Sequence, residues 1–329
     1  MTLAISGTTG ITLATQFDSA STFAFKNRFI NGAMQVAQRG TSGTSGSTVP
    51  TTAPTYPSVD RWYAYATGAT VTVAQVAGTG ATKNNLQVSG AASVTTVGVG
   101  QRIEQLNCYD LAGSTCTLSV NMSNSLLTTV TWTASYATSA NTWSAKTTIS
   151  TGTFTVTGTL ANYTTQIIVP AAATTGIEIL FTVGAQISGT WVIGNAQFEP
   201  STTVATSFDY RPYTTELQLC QRYFVKDLQD GTQATFLIGV VGSATVADRC
   251  GMRFPVNMRT TPTAAIGGTA NPRIYDATAA AAITSISTNT SSSFGASLGL
   301  TASGGGLTVG RAAIIIEGTA SFITYSSEL

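Results

Sequence analysis

Whatever chemistry this chain performs, it performs without histidine. Its 329 residues include none, against 14 carboxylates, 15 lysines and arginines together, and four cysteines. That removes Ser-His-Asp and Cys-His catalysis and the commonest metal ligand. Glycoside hydrolysis needs only two carboxylates and survives the test. Asp227 and Asp230, three apart beside Gly231, form the one close acidic pair. They read better as a solvated turn, where Asp bonds its own backbone. Cys108, Cys116, Cys220 and Cys250 form no CxxC pair, which speaks against zinc. Cys108 and Cys116 flank a seven-residue loop that a disulfide can span, but free thiols suit a protein made in a reducing compartment. Gly98-Val99-Gly100 and Gly304-Gly305-Gly306 lack the following helix and Lys of a phosphate-cradling loop. The chain is therefore expected to be no enzyme, with no catalytic, cofactor-binding or metal-ligating residues.

Binding chemistry is better represented. Aromatic faces beside polar side chains suit sugars, because a ring offers a large rigid surface at low entropic cost. Of the four tryptophans, Trp132 and Trp191 fall in alternating runs and read as core, and Trp62, beside Asp60 and Arg61, reads as core with an ion pair at its edge. Trp143 lies in the polar stretch 138–146 and reads as an exposed loop residue, with Tyr136 and Asn141 as companions. These three are the candidate glycan or interface contacts. Arginines make up 11 of the 15 basic residues, and Arg28, Arg61, Arg102, Arg211 and Arg222 read as structural, since a guanidinium makes fixed bidentate bonds.

The elements that must position these residues are strands. Leu118, Val120 and Met122 alternate with Thr117, Ser119 and Asn121, and Val130, Trp132, Ala134 and Tyr136 alternate with Thr131, Thr133 and Ser135. Phe154 and Val156, then Tyr163 to Val169, Ile177 to Val183 and Trp191 with Ile193 continue the period of two. Each run has one face for a core and one for solvent. The pattern predicts an all-β chain: an extended arm over 1–25, a jelly-roll β-sandwich over 26–213, a connector over 214–224 and a second, smaller sandwich-like β domain over 225–329. The connector carries the best helical spacing, Leu217, Cys220 and Phe224, with Thr214 or Thr215 as cap. Gly40 to Tyr56 reads as loop. In the second domain 234–241, 250–254, 312–317 and 320–325 read as strands, while the stretch from Ala277 to Gly306 alternates too weakly for strands to be placed.

Composition limits the partners. Charged residues are 9% of the chain and hydrophobic ones 43%, so the surface is hydroxyl-rich or buried against other copies. A net charge of +1 offers no footprint for nucleic acid. No window approaches the roughly 18 apolar residues of a membrane span. The segment Met1 to Gly7 lacks the basic region and apolar core of a signal peptide, so synthesis in a cytoplasm without signal-driven secretion is expected.

A series of ordered motifs carries a resemblance. Asn27-Arg28-Phe29-Ile30-Asn31-Gly32, Val59-Asp60-Arg61-Trp62-Tyr63, Gly100-Gln101-Arg102-Ile103-Glu104, the stretch 111–119 and the stretch 191–200 together resemble the carbohydrate-binding-module jelly rolls of the galactose-binding-like superfamily. Followed by Phe208 to Tyr213, Leu219 to Phe224, Phe254 to Thr263 and the final Glu328-Leu329, they look like a segment of phage tail-fibre and related virion proteins. The resemblance implies a jelly roll, a virion location and often a trimeric fibre or spike. The superfamily's structural calcium would fall at Gln35 and Asn195, both neutral, so no metal is expected. The reading is a structural virion protein of a bacteriophage, a tail-fibre, spike or collar component. It would be a homotrimer attached to other virion proteins through 1–25, contributing to host-surface glycan recognition, with no nucleic acid and no membrane insertion. The alternatives are a capsid-decorating or head-fibre protein, and a carbohydrate-binding module with a specific glycan ligand. A depolymerase ranks last, since no repeat period is visible.

Overall fold

The computed structural model describes residues 25–40, 55–79, 83–200, 205–227, 235–268, 272–316 and 321–329, together with the short strands Ile5–Ser6, Gly10–Ile11 and Ser42–Ser45. The arm expected over 1–25 lies outside the described residues, apart from the antiparallel pair Ile5–Ser6 with Gly10–Ile11 and the residue Phe25. The chain divides into two compact units, residues 1–216 with Leu329, and residues 217–328.

The first unit is a jelly-roll sandwich of two antiparallel sheets. One has five strands, in the order Thr142–Thr155, Thr129–Ser139, Ile177–Val183, Thr96–Ile103 and Tyr63–Thr67. The other has six, in the order Ala161–Ile168, Thr115–Asn124, Thr190–Pro200, Asn84–Ser89, Val71–Ala77 and Ser42–Ser45. The inward residues of each strand build one core, in which Val130, Trp132 and Ala134 face Leu118, Val120, Met122, Trp191 and Ile193. That is the period-two alternation made physical: β-branched and aromatic side chains fill the space between the sheets, and threonines take the outer positions. Ser42–Ser45 corrects the reading of Gly40 to Tyr56 as loop throughout. It is an edge strand on Val71–Ala77, and Gly43 lets it approach so closely that a Cβ there would lie 2.1 Å from the Pro57 carbonyl.

Asparagines tie the entry segment to the sandwich. Asn31 takes a positive φ of 59°. Its Nδ2 donates to the carbonyls of Val36 (2.8 Å) and Asp60 (3.0 Å), its Oδ1 accepts from Val36 N (3.0 Å), and its carbonyl accepts the Trp62 indole N–H (3.0 Å). Asn27 holds Ala196 and Phe198 in the same way, where the strand Thr190–Pro200 bulges between Gly194 and Gln197. Arg211 donates to the carbonyls of Phe29 (3.1 Å) and Asn27 and pairs with Glu216 (3.2 Å), whose carboxylate accepts from Asn31 N.

A helix, Tyr213–Gln221, crosses the boundary between the units. It begins two residues before Thr215, so neither Thr214 nor Thr215 caps it, and Phe224 lies beyond its end, opening a strand. The second unit is β as expected and closes into a barrel: Thr235–Ser243, Val246–Arg253, Gly295–Ala302, Ala280–Ser291, Arg273–Tyr275 and Ala312–Ile316. Phe224–Asp227, Ser321–Ser326 and Thr263–Gly268 form a three-stranded sheet beside it. Two strands thus occupy the weakly alternating stretch from 277 to 306. Their inward residues include Ala281, Ala296 and Ala302 alongside Ile283, Leu298 and Leu300. Among the described residues no helix is long and apolar enough to cross a membrane.

Replacing Asn31 with Ala strands buried backbone groups and puts a Cβ into a left-handed conformation without local hydrogen bonds. The expected loss is about 3 kcal/mol in urea unfolding. Asn31→Gly, free of the backbone strain, should lose less; equal losses would remove the conformational part of this account.

Candidate functional site

The outer face of the five-stranded sheet is organised in cross-strand rows. Thr151, Thr133, Leu180, Gly100 and Tyr63 form one, and Thr153, Thr131, Thr182, Gly98 and Tyr65 the next. Thr148, Ser135, Glu178 and Arg102 form a third. The tyrosine rings lie over the glycines: a Cβ on Gly98 would lie 2.1 Å from Tyr65 Cε1, and one on Gly100 2.5 Å from the Tyr63 hydroxyl. Both rings are thereby buried, and burial, with the Glu178 carboxylate nearby, raises both phenols above their ordinary range. The part of the face left to solvent is paved with hydroxyls around Leu180. Thr133 and Thr151 are within hydrogen-bond distance of one another (3.2 Å), and Thr151 also donates to the Trp132 carbonyl (2.8 Å).

One end of this face is closed by a charge cluster. The Arg102 guanidinium stands over the rings of Trp143 (5.0 Å to the centroid) and Tyr63 (5.5 Å). Its Nε donates to Glu178 Oε1 (2.9 Å) and its Nη1 to the carbonyl of Leu329 (2.9 Å), a residue that groups with this unit. Lys146 bonds the second Glu178 oxygen. Arg102 and Glu178 are fully buried. Arg102 Nη2 and Trp143 Nε1 are buried without a hydrogen-bond partner among the described residues.

Trp143 is therefore not the exposed loop residue expected. It is 4% exposed, near the start of the strand Thr142–Thr155, under Arg102 and against Gly176, where a Cβ would lie 3.2 Å from its ring. Asn141 sits beside it at φ 54°, accepting from Gln105 N (2.8 Å) and donating its own N–H to Thr175 O (2.8 Å). Tyr136 keeps the parity of Val130, Trp132 and Ala134 and packs, partly buried, on the core side of the sheet. The structure thus brings Asn141 and Trp143 together and sends Tyr136 to the opposite face. The parity of Tyr136 is visible in the sequence. The burial of Trp143 is not, because it depends on Arg102, some forty residues away.

The other singled-out residues fall as follows. Trp62, Trp132 and Trp191 are core, and the ion pair near Trp62 joins Asp60 to Arg39 (3.5 Å). Asp227 is on the strand Phe224–Asp227, its carboxyl pushed up to about 6 by burial, and Asp230 lies outside the described residues. All four cysteines are buried. Burial raises the Cys108 thiol to about 11 and the Cys116 and Cys250 thiols to about 12, so they stay protonated and unreactive. Asn195 lies in the bulge of Thr190–Pro200 at φ 41°, and no group of three His, Cys, Asp or Glu among the described residues could hold a metal. Arg28 pairs with Asp110, Arg61 donates to Arg102 O (2.7 Å) and Arg222 to Asn257 O (3.4 Å).

No family model and no curated protein matches the chain. Among solved structures it is similar to one described as "CBM4 structure and function", at 12% identity and a TM-score of 0.34, over 52% of this chain and 98% of that one. It is similar to a xylan-binding domain from CBM 22, at 19% identity and a TM-score of 0.31, over 44% of this chain and 90% of that one. It is also similar to the enzymatically active domain of tailspike protein 4 of bacteriophage CBA120, at 16% identity and a TM-score of 0.33, over 53% of this chain and 21% of that one.

Removing one partner of a buried ion pair leaves the other charge unsolvated. Glu178→Gln should cost about 3–5 kcal/mol in denaturant unfolding. Lys146→Met, which leaves the Arg102–Glu178 pair intact, should cost under about 1 kcal/mol. Comparable losses from the two would show that Arg102 is not the charge that Glu178 serves.

Proposed function

We propose that the chain is a non-catalytic glycan-binding protein of a bacteriophage virion, and that its jelly roll takes a neutral saccharide on the outer face of the five-stranded sheet. The observation that carries this reading is the pair of hydroxyl rows around Leu180. Hydroxyls donate and accept alike, as sugar hydroxyls do, and an aliphatic side chain among them suits the apolar face of a sugar ring. A face built to bind an ionic ligand would place charge at its centre; here the charges sit at one end and are committed to one another. The ordered motifs that resemble those of virion jelly rolls support the setting, and the absence of histidine supports a binding rather than a catalytic role.

Thr133→Val with Thr151→Val keeps the β-branched shape and removes two hydroxyls. Screening the full chain against neutral polysaccharides should find a ligand that the double variant binds about tenfold more weakly. Stability should change by less than about 1 kcal/mol. Unchanged affinity would take the face out of the proposal, and no neutral ligand at all would sink it.

A homotrimer is part of the same reading. On the outer wall of the barrel Ile238, Ile314 and Tyr275 form an apolar row across three strands, with Ile238 64% exposed. In a chain with so little charge, such a row suits burial against another copy. Light scattering should give three chains per particle, and Ile238→Lys should lower that number without unfolding the protein. A wild-type monomer at micromolar concentration would count against the assembly.

A further inference from the structure

The barrel carries a pocket of about 570 Å³ at the end where Val246–Arg253, Ala280–Ser291 and Gly295–Ala302 meet. That lies within the roughly 300–1,000 Å³ of small-molecule sites. It spans three neighbouring strands, in which Cys250 and Leu298 point into the barrel while Gly251, paired with Ser297, and Arg253, paired with Gly295, point out. We propose that this pocket is a second saccharide site, and that it takes an acidic sugar.

Two features point to that chemistry. Phe294 is 60% exposed in the turn after Ala280–Ser291 and lines the pocket. Its backbone is fixed on both sides: its N–H donates to Ser292 Oγ (3.2 Å), and its carbonyl accepts from Phe254 N (3.0 Å). An exposed ring on a fixed backbone is a platform for the apolar face of a sugar. Arg253 supplies an exposed guanidinium that makes no ion pair among the described residues, and no acidic side chain lines the pocket. A carboxylate or phosphate would meet it in a charge-assisted, bidentate geometry. The floor is bare because Gly251 forms it: a Cβ there would meet only the Arg249 carbonyl, at 3.9 Å. This site lies wholly within the second unit and does not depend on the reading of the jelly-roll face.

Calorimetry on the full chain tests it with trigalacturonic acid, sialyllactose and glucose 6-phosphate, and with lactose as the neutral control. At least one acidic probe should bind about tenfold more tightly than lactose. Arg253→Ala should abolish that preference, and Gly251→Leu, which fills the floor without backbone strain, should block the acidic probe at unchanged melting temperature. The Thr133→Val, Thr151→Val variant should leave it untouched, which separates this site from the jelly-roll face. Absence of binding by all three acidic probes up to about 10 mM would overturn the proposal, as would binding that survives both barrel variants.

Discussion

Two stacked sheets bury one face each and leave two outer faces to water, and a chain with 9% charged residues has to wet those faces with hydroxyls. The rest of the first unit follows from that constraint. Threonine is the side chain that meets both demands: its methyl and β-branch hold a strand, and its hydroxyl faces solvent. Hence the outer rows read Thr151, Thr133 and Thr153, Thr131, Thr182. The few charges are then free for the interior, where Arg61, Arg102, Arg211, Asp60, Glu178, Glu199 and Glu216 are all buried. This inverts the ordinary arrangement, in which charge covers the surface.

Buried charge is expensive unless paired, so each of these residues has to be held in a fixed network. Arg102 has Glu178 and two aromatic faces, Glu199 accepts from Thr206 N and Oγ1, and Arg211 links Glu216 to the entry segment. These networks sit where the sandwich needs its connections fixed: at the entry segment, at one end of the central strands of the five-stranded sheet and at the chain's exit after Pro200. The barrel uses the same device on its own scale. Asp276 accepts from the backbones of Thr278, Ala279 and Thr308, and these bonds hold its carboxyl well below the usual range. A carboxylate bonded by several N–H groups is a turn clamp that needs no hydrophobic core.

What could be read from the residues follows the same division. Strands with one aliphatic and one hydroxyl face announce themselves, and the runs at 117–122, 130–136, 163–168 and 177–183 are strands in the structure. The signal fades where inward residues are small. Ala280–Ser291 and Gly295–Ala302 line the barrel partly with alanines, which look no more apolar than their neighbours, and Ser42–Ser45 is an edge strand of Ser, Gly and Thr with no aliphatic residue to announce it. The site was legible only in outline. Trp143, in a run of Ser, Thr and Asn, looks exposed because the groups that cover it, Arg102 and Gly176, are remote in sequence. Tyr136 carried its own warning in the parity it shares with Val130, Trp132 and Ala134. The hydroxyl rows were in plain sight as alternating threonines, but their register across five strands is a property of the fold.

As proposed here, the threonine face and the barrel pocket would select their ligands by different physics. Hydroxyl rows on a rigid sheet form many weak and individually replaceable hydrogen bonds, so discrimination has to come from the spacing of the rows, which the strand pairing fixes at about 4.8 Å. A guanidinium without an ion pair beside an exposed aromatic ring would discriminate by charge, and a ligand lacking the anion would forfeit the strongest contact at once. The first kind of surface tolerates variation along a polymer; the second reads one decorated residue of it. A protein that carries both on separate folded units can hold a surface polysaccharide through repetition and identify it through a single acidic sugar, provided that polymer carries both features.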